Sequence, residues 1–95
     1  MMQFVWDSKK NIINISKHGV SFFTATRAFD DPWRLLFEDR EHSGREYQEK
    51  RFFCIAKVDG QVLTVRFVYR DDSIRIFGAG YWRKGKEIYE KEERE

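Results

Sequence analysis

Residues 51–79 read RFFCIAKVDGQVLTVRFVYRDDSIRIFGA, three apolar-rich runs broken by two pairs of turn residues. Asp59 and Gly60 between RFFCIAKV and QVLTVRFVYR form a strong two-residue hairpin signal, because these residue types tolerate the positive φ that primed turns demand. Asp71 and Asp72 mark a second turn before SIRIFGA. Two-residue turns fix the pairing across them. Val58 then opposes Gln61 and Phe53 meets Arg66, while in the next hairpin Arg70 opposes Ser73, Val68 opposes Arg75 and Arg66 opposes Phe77.

Side chains alternate along a strand, and opposed residues share a face. One face collects Phe52, Cys54, Ala56, Val58, Leu63, Val65, Phe67, Tyr69, Ile74 and Ile76, with Gln61 and Gly78 at its margins. At roughly 1.5 to 3 kcal/mol for each large apolar side chain buried, this face is the folding driver. The other face collects Arg51, Phe53, Ile55, Lys57, Val62, Thr64, Arg66, Val68, Arg70, Ser73, Arg75 and Phe77, which places five cations there and no carboxylate. Arginines interleaved with aromatics suit a negatively charged backbone that carries stackable bases. The alternative is a solvated sheet face, or one whose cations pair with glutamates of a C-terminal helix laid across it. Phe53 and Phe77 argue for a face that something covers.

Upstream, QFVW is a short strand, and Asp7 caps a helix in which Ile12, Ile15 and Gly19 share one face. Gly19 suits the C′ position and His18 falls in the last turn. His18 thus has a structural explanation against the carbonyl dipoles, beside a functional one as general base or phosphate contact. Ser21 caps a second helix, Val20 and Ala25 form its staple, and Phe22, Ala25 and Phe29 form its apolar stripe before Asp30, Asp31 and Pro32 stop it. These two helices are expected to cover the apolar sheet face. RLLFE is a candidate strand and DREHSGREYQE an exposed loop. RKGKEIYEKEERE reads as a final helix with a stripe of Trp82, Ile88 and Tyr89, and its five Lys/Arg cancel its five Glu.

The fold class expected is therefore α+β: a short N-terminal strand, two helices, an antiparallel sheet of three to four further strands and a C-terminal helix. Ninety-five residues allow one domain, 1–95. No run suits a signal peptide or a membrane span, so the expected location is cytoplasmic, with no membrane partner. Cys54 stands alone, and His18 and His42 lack ligand spacing, which leaves neither a disulfide nor a metal site. No cofactor is expected. A net charge of +2 leans basic too mildly to prove a nucleic-acid partner.

Trp6-Asp7, Lys10, Asn14, Lys17-His18-Gly19-Val20, Phe22, Ala25, Phe29 and Asp31-Pro32 carry a spacing that resembles the BrnT family of bacterial toxins, of RelE-like fold. The resemblance continues through His42-Ser43, Glu49, Arg51, Tyr69-Arg70, Ile74-Arg75-Ile76 and Tyr89-Glu90, nearly the whole chain. It implies a toxin of a type II toxin–antitoxin pair that cleaves RNA without metal, the 2′-hydroxyl of a nucleotide attacking its own 3′-phosphate, and inhibits translation and growth. It also implies a BrnA-type antitoxin as partner besides RNA, in a heterotetramer, with a homodimer as the other assembly.

Such chemistry needs cations for the phosphorane charge, a base and an acid. Arg66, Arg70 and Arg75 suit the first requirement, since a guanidinium stays charged and grips phosphate through two hydrogen bonds. His18 is the remaining candidate catalytic residue, as a side chain able to accept or donate a proton. Arg51, Lys57, Phe53, Phe77 and Arg83 are the candidate RNA contacts. One departure stands out: similar sequences carry Ser-Ala-Arg after the last strand where this chain has Gly78-Ala79-Gly80. Either Arg83 replaces the missing arginine, or the protein is a non-catalytic module that binds RNA or an acidic protein through the same face.

Overall fold

The computed structural model describes residues 3–44 and 49–93. The chain runs β1 (Gln3–Val5), α1 (Ser8–His18), α2 (Phe22–Thr26), a 3₁₀ turn (Arg27–Asp30), β2 (Leu35–Glu38), a second 3₁₀ turn (Arg40–His42), β3 (Phe52–Val58), β4 (Gln61–Arg70), β5 (Ser73–Gly80) and α3 (Arg83–Glu93). The five strands form one sheet in the order β1-β5-β4-β3-β2. β2 to β5 are antiparallel, and β1 joins β5 in parallel. The α+β expectation holds, with the N-terminal strand making the sheet mixed. The polar loop expected over residues 39–49 lies partly outside the described residues.

The hairpin of β3 and β4 takes the expected register, with Val58 opposite Gln61 and Phe53 opposite Arg66. Asp59 and Gly60 sit at φ 53° and 82°, the two positive values that a type I′ turn requires. β4 and β5 begin as expected, Arg70 on Ser73 and Val68 on Arg75, but a bulge intervenes at Arg66/Phe67. Phe67 pairs with Ile76 and Arg66 with Gly78, so Phe77 is the extra residue. The expected Arg66–Phe77 pair is thereby corrected. Gly78 moves from the margin of the core face to the cationic face, and Ala79 enters the core.

The core is the anticipated one except at Tyr69, which is 45% exposed at the far end of β4. Cys54, Ala56, Val58, Leu63, Val65, Phe67, Ile74 and Ile76 pack with Val20, Phe22, Ala25 and Ala28 above the sheet. Burial pushes the Cys54 thiol up to about 12, so it serves as an inert packing group. Asp7 caps α1 through N–H groups of Lys9 and Lys10, and Gly19 ends it at φ 70°. Ser21 caps α2 through Thr24 N–H. α2 is shorter than its apolar stripe, tightening into the 3₁₀ turn before Asp31.

α1 reverses the usual amphipathic arrangement. Ile12, Ile13 and Ile15 are 66%, 52% and 44% exposed, while Asn14 is its buried residue. The inward side is amide, not apolar: Asn14 Nδ2 donates to the carbonyls of Val20 and Ala79 at 2.9 Å each, and its Oδ1 accepts from Ala79 N–H at 3.2 Å. Asn11 Oδ1 accepts from Phe22 N–H at 2.8 Å. The helix meets backbone ends at this place, and amides satisfy them where isoleucines cannot.

α3 crosses the opposite sheet face and creates a second small core of Ile55, Val62 and Tyr89, flanked by Leu35 and Ile88. Gly85 is buried against β4, where any Cβ would overlap the Thr64 hydroxyl. Tyr89 Oη donates to Asp31 at 2.7 Å and Lys57 Nζ pairs with Glu93 at 3.1 Å, so polar contacts fix the helix at its far end.

Candidate active site

Because α3 covers only part of the second sheet face, an open cleft of about 680 Å³ remains beside it. Phe53, Ile55, Thr64 and Arg66 form its floor; Phe37 to His42 form one wall, and Trp82, Lys84, Gly85 and Ile88 the other. Phe37 and Phe53, paired across β2 and β3, bring their ring centroids to 5.6 Å. Aromatics, cations and a histidine thus share one concavity, the mixture that holds a nucleotide between stacking and charge.

The wall is built by the second 3₁₀ turn. Asp39 N–H donates to Arg51 O at 2.7 Å and His42 N–H donates to Asp39 O at 3.2 Å. Ser43 Oγ accepts from Arg51 N–H at 2.8 Å and donates to the carbonyls of Asp39 and Arg51, fastening the turn to the start of β3. In this frame the largely buried Asp39 carboxylate, 7% exposed, lies 2.9 Å from His42 Nδ1. An imidazole that donates from Nδ1 to a carboxylate carries, in its neutral form, a basic Nε2. That tautomer is the one a general base requires.

Arg66 is the half-buried cation of the floor. Its guanidinium sits 5.1 Å from the Phe77 ring centroid, and that of Arg51 sits 4.9 Å from the same ring. The bulge is the reason: Phe77 is the extra residue and lies beneath both cations, with Gly78 paired opposite Arg66. Phe77 therefore orients two guanidiniums by cation–π contact.

The remaining predicted residues lie elsewhere. Arg70 forms a bidentate pair with Glu49, at 2.8 Å and 3.3 Å. Hydrogen bonding to Arg70 holds the Glu49 carboxyl below its usual range, and the charges of Arg51 and Arg75 add to the effect. Arg75 belongs to this cluster near the β1 side and does not line the cleft. Lys57 is tied to Glu93 and lies 5.9 Å from the Tyr89 ring centroid, also outside the cleft. The strands themselves bring no carboxylate to this face, but a loop glutamate claims Arg70 and a glutamate of the C-terminal helix claims Lys57, the latter being the pairing the alternative reading allowed. His18 sits edge-on to the wall residue Trp82 at 5.2 Å and does not itself line the cleft. Arg83 is exposed at the start of α3, and its neighbour Lys84 enters the cleft instead.

Gly80 acquires a physical reason. A Cβ there would lie 2.7 Å from two carbons of the Trp82 indole. Trp82 occupies the space over the strand end that a side chain at position 80 would claim, and it turns one aromatic wall toward the cleft.

Sequence reasoning missed His42, Asp39 and Lys84 as functional candidates. The signal available was small: a carboxylate three residues before a histidine, inside a loop that reads simply as polar. Among the described residues no group of three or more His, Cys, Asp or Glu side chains is placed to hold a metal ion, and no helix is long and apolar enough to cross a membrane.

No curated protein sequence matches the chain. The fold is similar to the crystal structure of the Brucella abortus ribonuclease toxin BrnT, with a TM-score of 0.66 and 20% identity, over 86% of this chain and 97% of that one. Residues 6–86 match the family model described as ribonuclease toxin, BrnT, of type II toxin–antitoxin system, which takes in both helices of the N-terminal half, strands β2 to β5 and every cleft-lining residue but Ile88. The chain accordingly belongs to the BrnT family of ribonuclease toxins of type II toxin–antitoxin systems.

Proposed function

We propose that the cleft between β3, β4 and the start of α3 binds RNA and cleaves it without metal. The ribose 2′-oxygen bonds to the adjacent 3′-phosphate as the bond from phosphorus to the next nucleotide's 5′-oxygen breaks, and that 5′-oxygen takes a proton from water and leaves as a 5′-hydroxyl. The observation that carries this reading is the presence of Arg66, the His42–Asp39 pair and the Phe37–Phe53 aromatic pair in one cavity. His42 takes the proton of the 2′-hydroxyl, with Asp39 orienting the ring and stabilising the imidazolium. Arg66 neutralises charge that grows on the phosphorane, and Lys84 and Arg51 hold flanking phosphates. Phe37, Phe53 and Trp82 stack on bases. Arg70 and Arg75, at the other end of the face, follow the strand beyond the cleft, where phosphate competes with Glu49.

Growth inhibition in the cytoplasm and neutralisation by a BrnA-type antitoxin complete this reading. The purified chain incubated with an RNA oligonucleotide in excess EDTA tests it: fragments ending in 2′,3′-cyclic phosphate are expected. RNA that is bound with steep salt dependence but stays intact would instead select the binding-module reading.

A further inference from the structure

We propose that the outward face of α1 is the docking surface for the antitoxin, and that it receives an acidic amphipathic segment of that protein. The inference rests on the chain being the toxin of such a pair. Its ground is the inversion of α1: Asn11 and Asn14 face the fold, while Ile12, Ile13 and Ile15 face outward, each close to half exposed or more. Three isoleucines on one short helix, held outward by a built amide network, form a surface made for another apolar surface.

Charge identifies the occupant. Lys9, Lys10 and Lys17 are exposed on the same helix, and residues 8–18 contain no carboxylate. The adjacent Asp7 is turned into the helix N-terminus, where it accepts from the N–H groups of Lys9 and Lys10. A symmetric contact with a second copy would set these lysines against their own counterparts, which disfavours a homodimer here. An acidic helix or extended segment with apolar residues on one side satisfies both the isoleucines and the lysines. The surface is separate from the cleft lining, so antitoxin can hold the toxin here while reaching the site with another part of its chain.

The test titrates the full chain with the protein encoded in the adjacent reading frame, using wild type, an Ile12→Lys/Ile13→Lys variant and a Lys9→Glu/Lys17→Glu variant. All substituted positions are exposed, and a thermal melt confirms that each variant folds. Each pair is expected to weaken binding about tenfold or more, the charge reversal losing most of its effect at high salt, while RNA cleavage stays at the wild-type rate. Wild-type affinity in both folded variants would overturn the proposal, as would absence of binding by the wild type. Light scattering that shows a dimer broken by Ile12→Lys/Ile13→Lys would assign the face to a second copy, and loss confined to binding of phosphatidylglycerol vesicles would assign it to lipid. RNA left uncut while antitoxin binding is intact would fault the catalytic reading alone.

Discussion

Nδ1 of His42 lies 2.9 Å from a carboxylate oxygen of Asp39, and both residues line the cleft floored by Arg66. His42→Gln removes the proton acceptor but leaves a side chain of similar reach. A fall of about 10²- to 10⁴-fold in single-turnover RNA cleavage is expected. Asp39→Asn keeps a polar partner but loses the charge behind the imidazolium, and a smaller fall is expected. Cleavage by His42→Gln at the wild-type rate would remove histidine from the mechanism.

Gly85 packs where any side chain meets the Thr64 hydroxyl, and that hydroxyl is buried without a hydrogen-bond partner. Gly85→Ala therefore forces α3 away from β4 and is expected to lower stability by about 1 to 3 kcal/mol, despite alanine's higher helix propensity. Thr64→Ala removes the obstruction and an unsatisfied group at once. The double variant should recover part of the loss in urea unfolding, a coupling that independent sites do not show.

Asn14 holds α1 by three hydrogen bonds to the backbone of Val20 and Ala79. Asn14→Leu keeps the branched shape, in a somewhat larger side chain, yet orphans a buried N–H and two carbonyls. We expect a loss of about 2 to 4 kcal/mol, read from the denaturant midpoint. An unchanged midpoint would mean that the network contributes nothing to docking the helix.

The Asp31–Tyr89 contact gives stability a defined pH dependence. Burial by itself raises the Asp31 carboxyl, but the Tyr89 hydroxyl and the N–H groups of Lys57 and Trp33 outweigh it and hold the group below its ordinary value of 3.8. A depressed folded value stabilises the fold above the unfolded value, and that contribution is lost as pH falls through the folded one. Burial together with the hydrogen bond to Asp31 raises the Tyr89 phenol above its ordinary 10.0. Its contribution is complete below that value and disappears as pH climbs through the raised one. Thermal midpoints measured against pH should decline on the acid side below about 4 and on the alkaline side above about 10. Tyr89→Phe should flatten the alkaline limb and soften the acid one.

Much of this was legible in residues 51–79, because Asp-Gly strongly favours a two-residue hairpin turn and period-two alternation then sorts every side chain between β3 and β4. The bulge at Phe77 was not: nothing in SIRIFGA distinguishes an inserted residue from a regular one, and one inserted residue reverses the faces beyond it. α1 misled for a related reason. Helical spacing shows that Ile12 and Ile15 share a face but not that Asn14, through Val20 and Ala79, decides which face turns inward. The site was half visible. Arg66 and Phe53 follow from register, whereas His42 and Asp39 meet through a 3₁₀ turn pinned by Ser43 to Arg51, a contact across eight residues that no periodicity encodes.

Arg66 is the half-buried cation on the cleft floor, so the rate of RNA cleavage by Arg66→Ala, compared with wild type in excess EDTA, is the decisive measurement. Loss of at least about 10²-fold in a protein of unchanged melting behaviour is predicted, with RNA binding reduced far less. Cleavage at the wild-type rate, or activity in the wild type that EDTA abolishes, would contradict a metal-free reaction centred on this guanidinium.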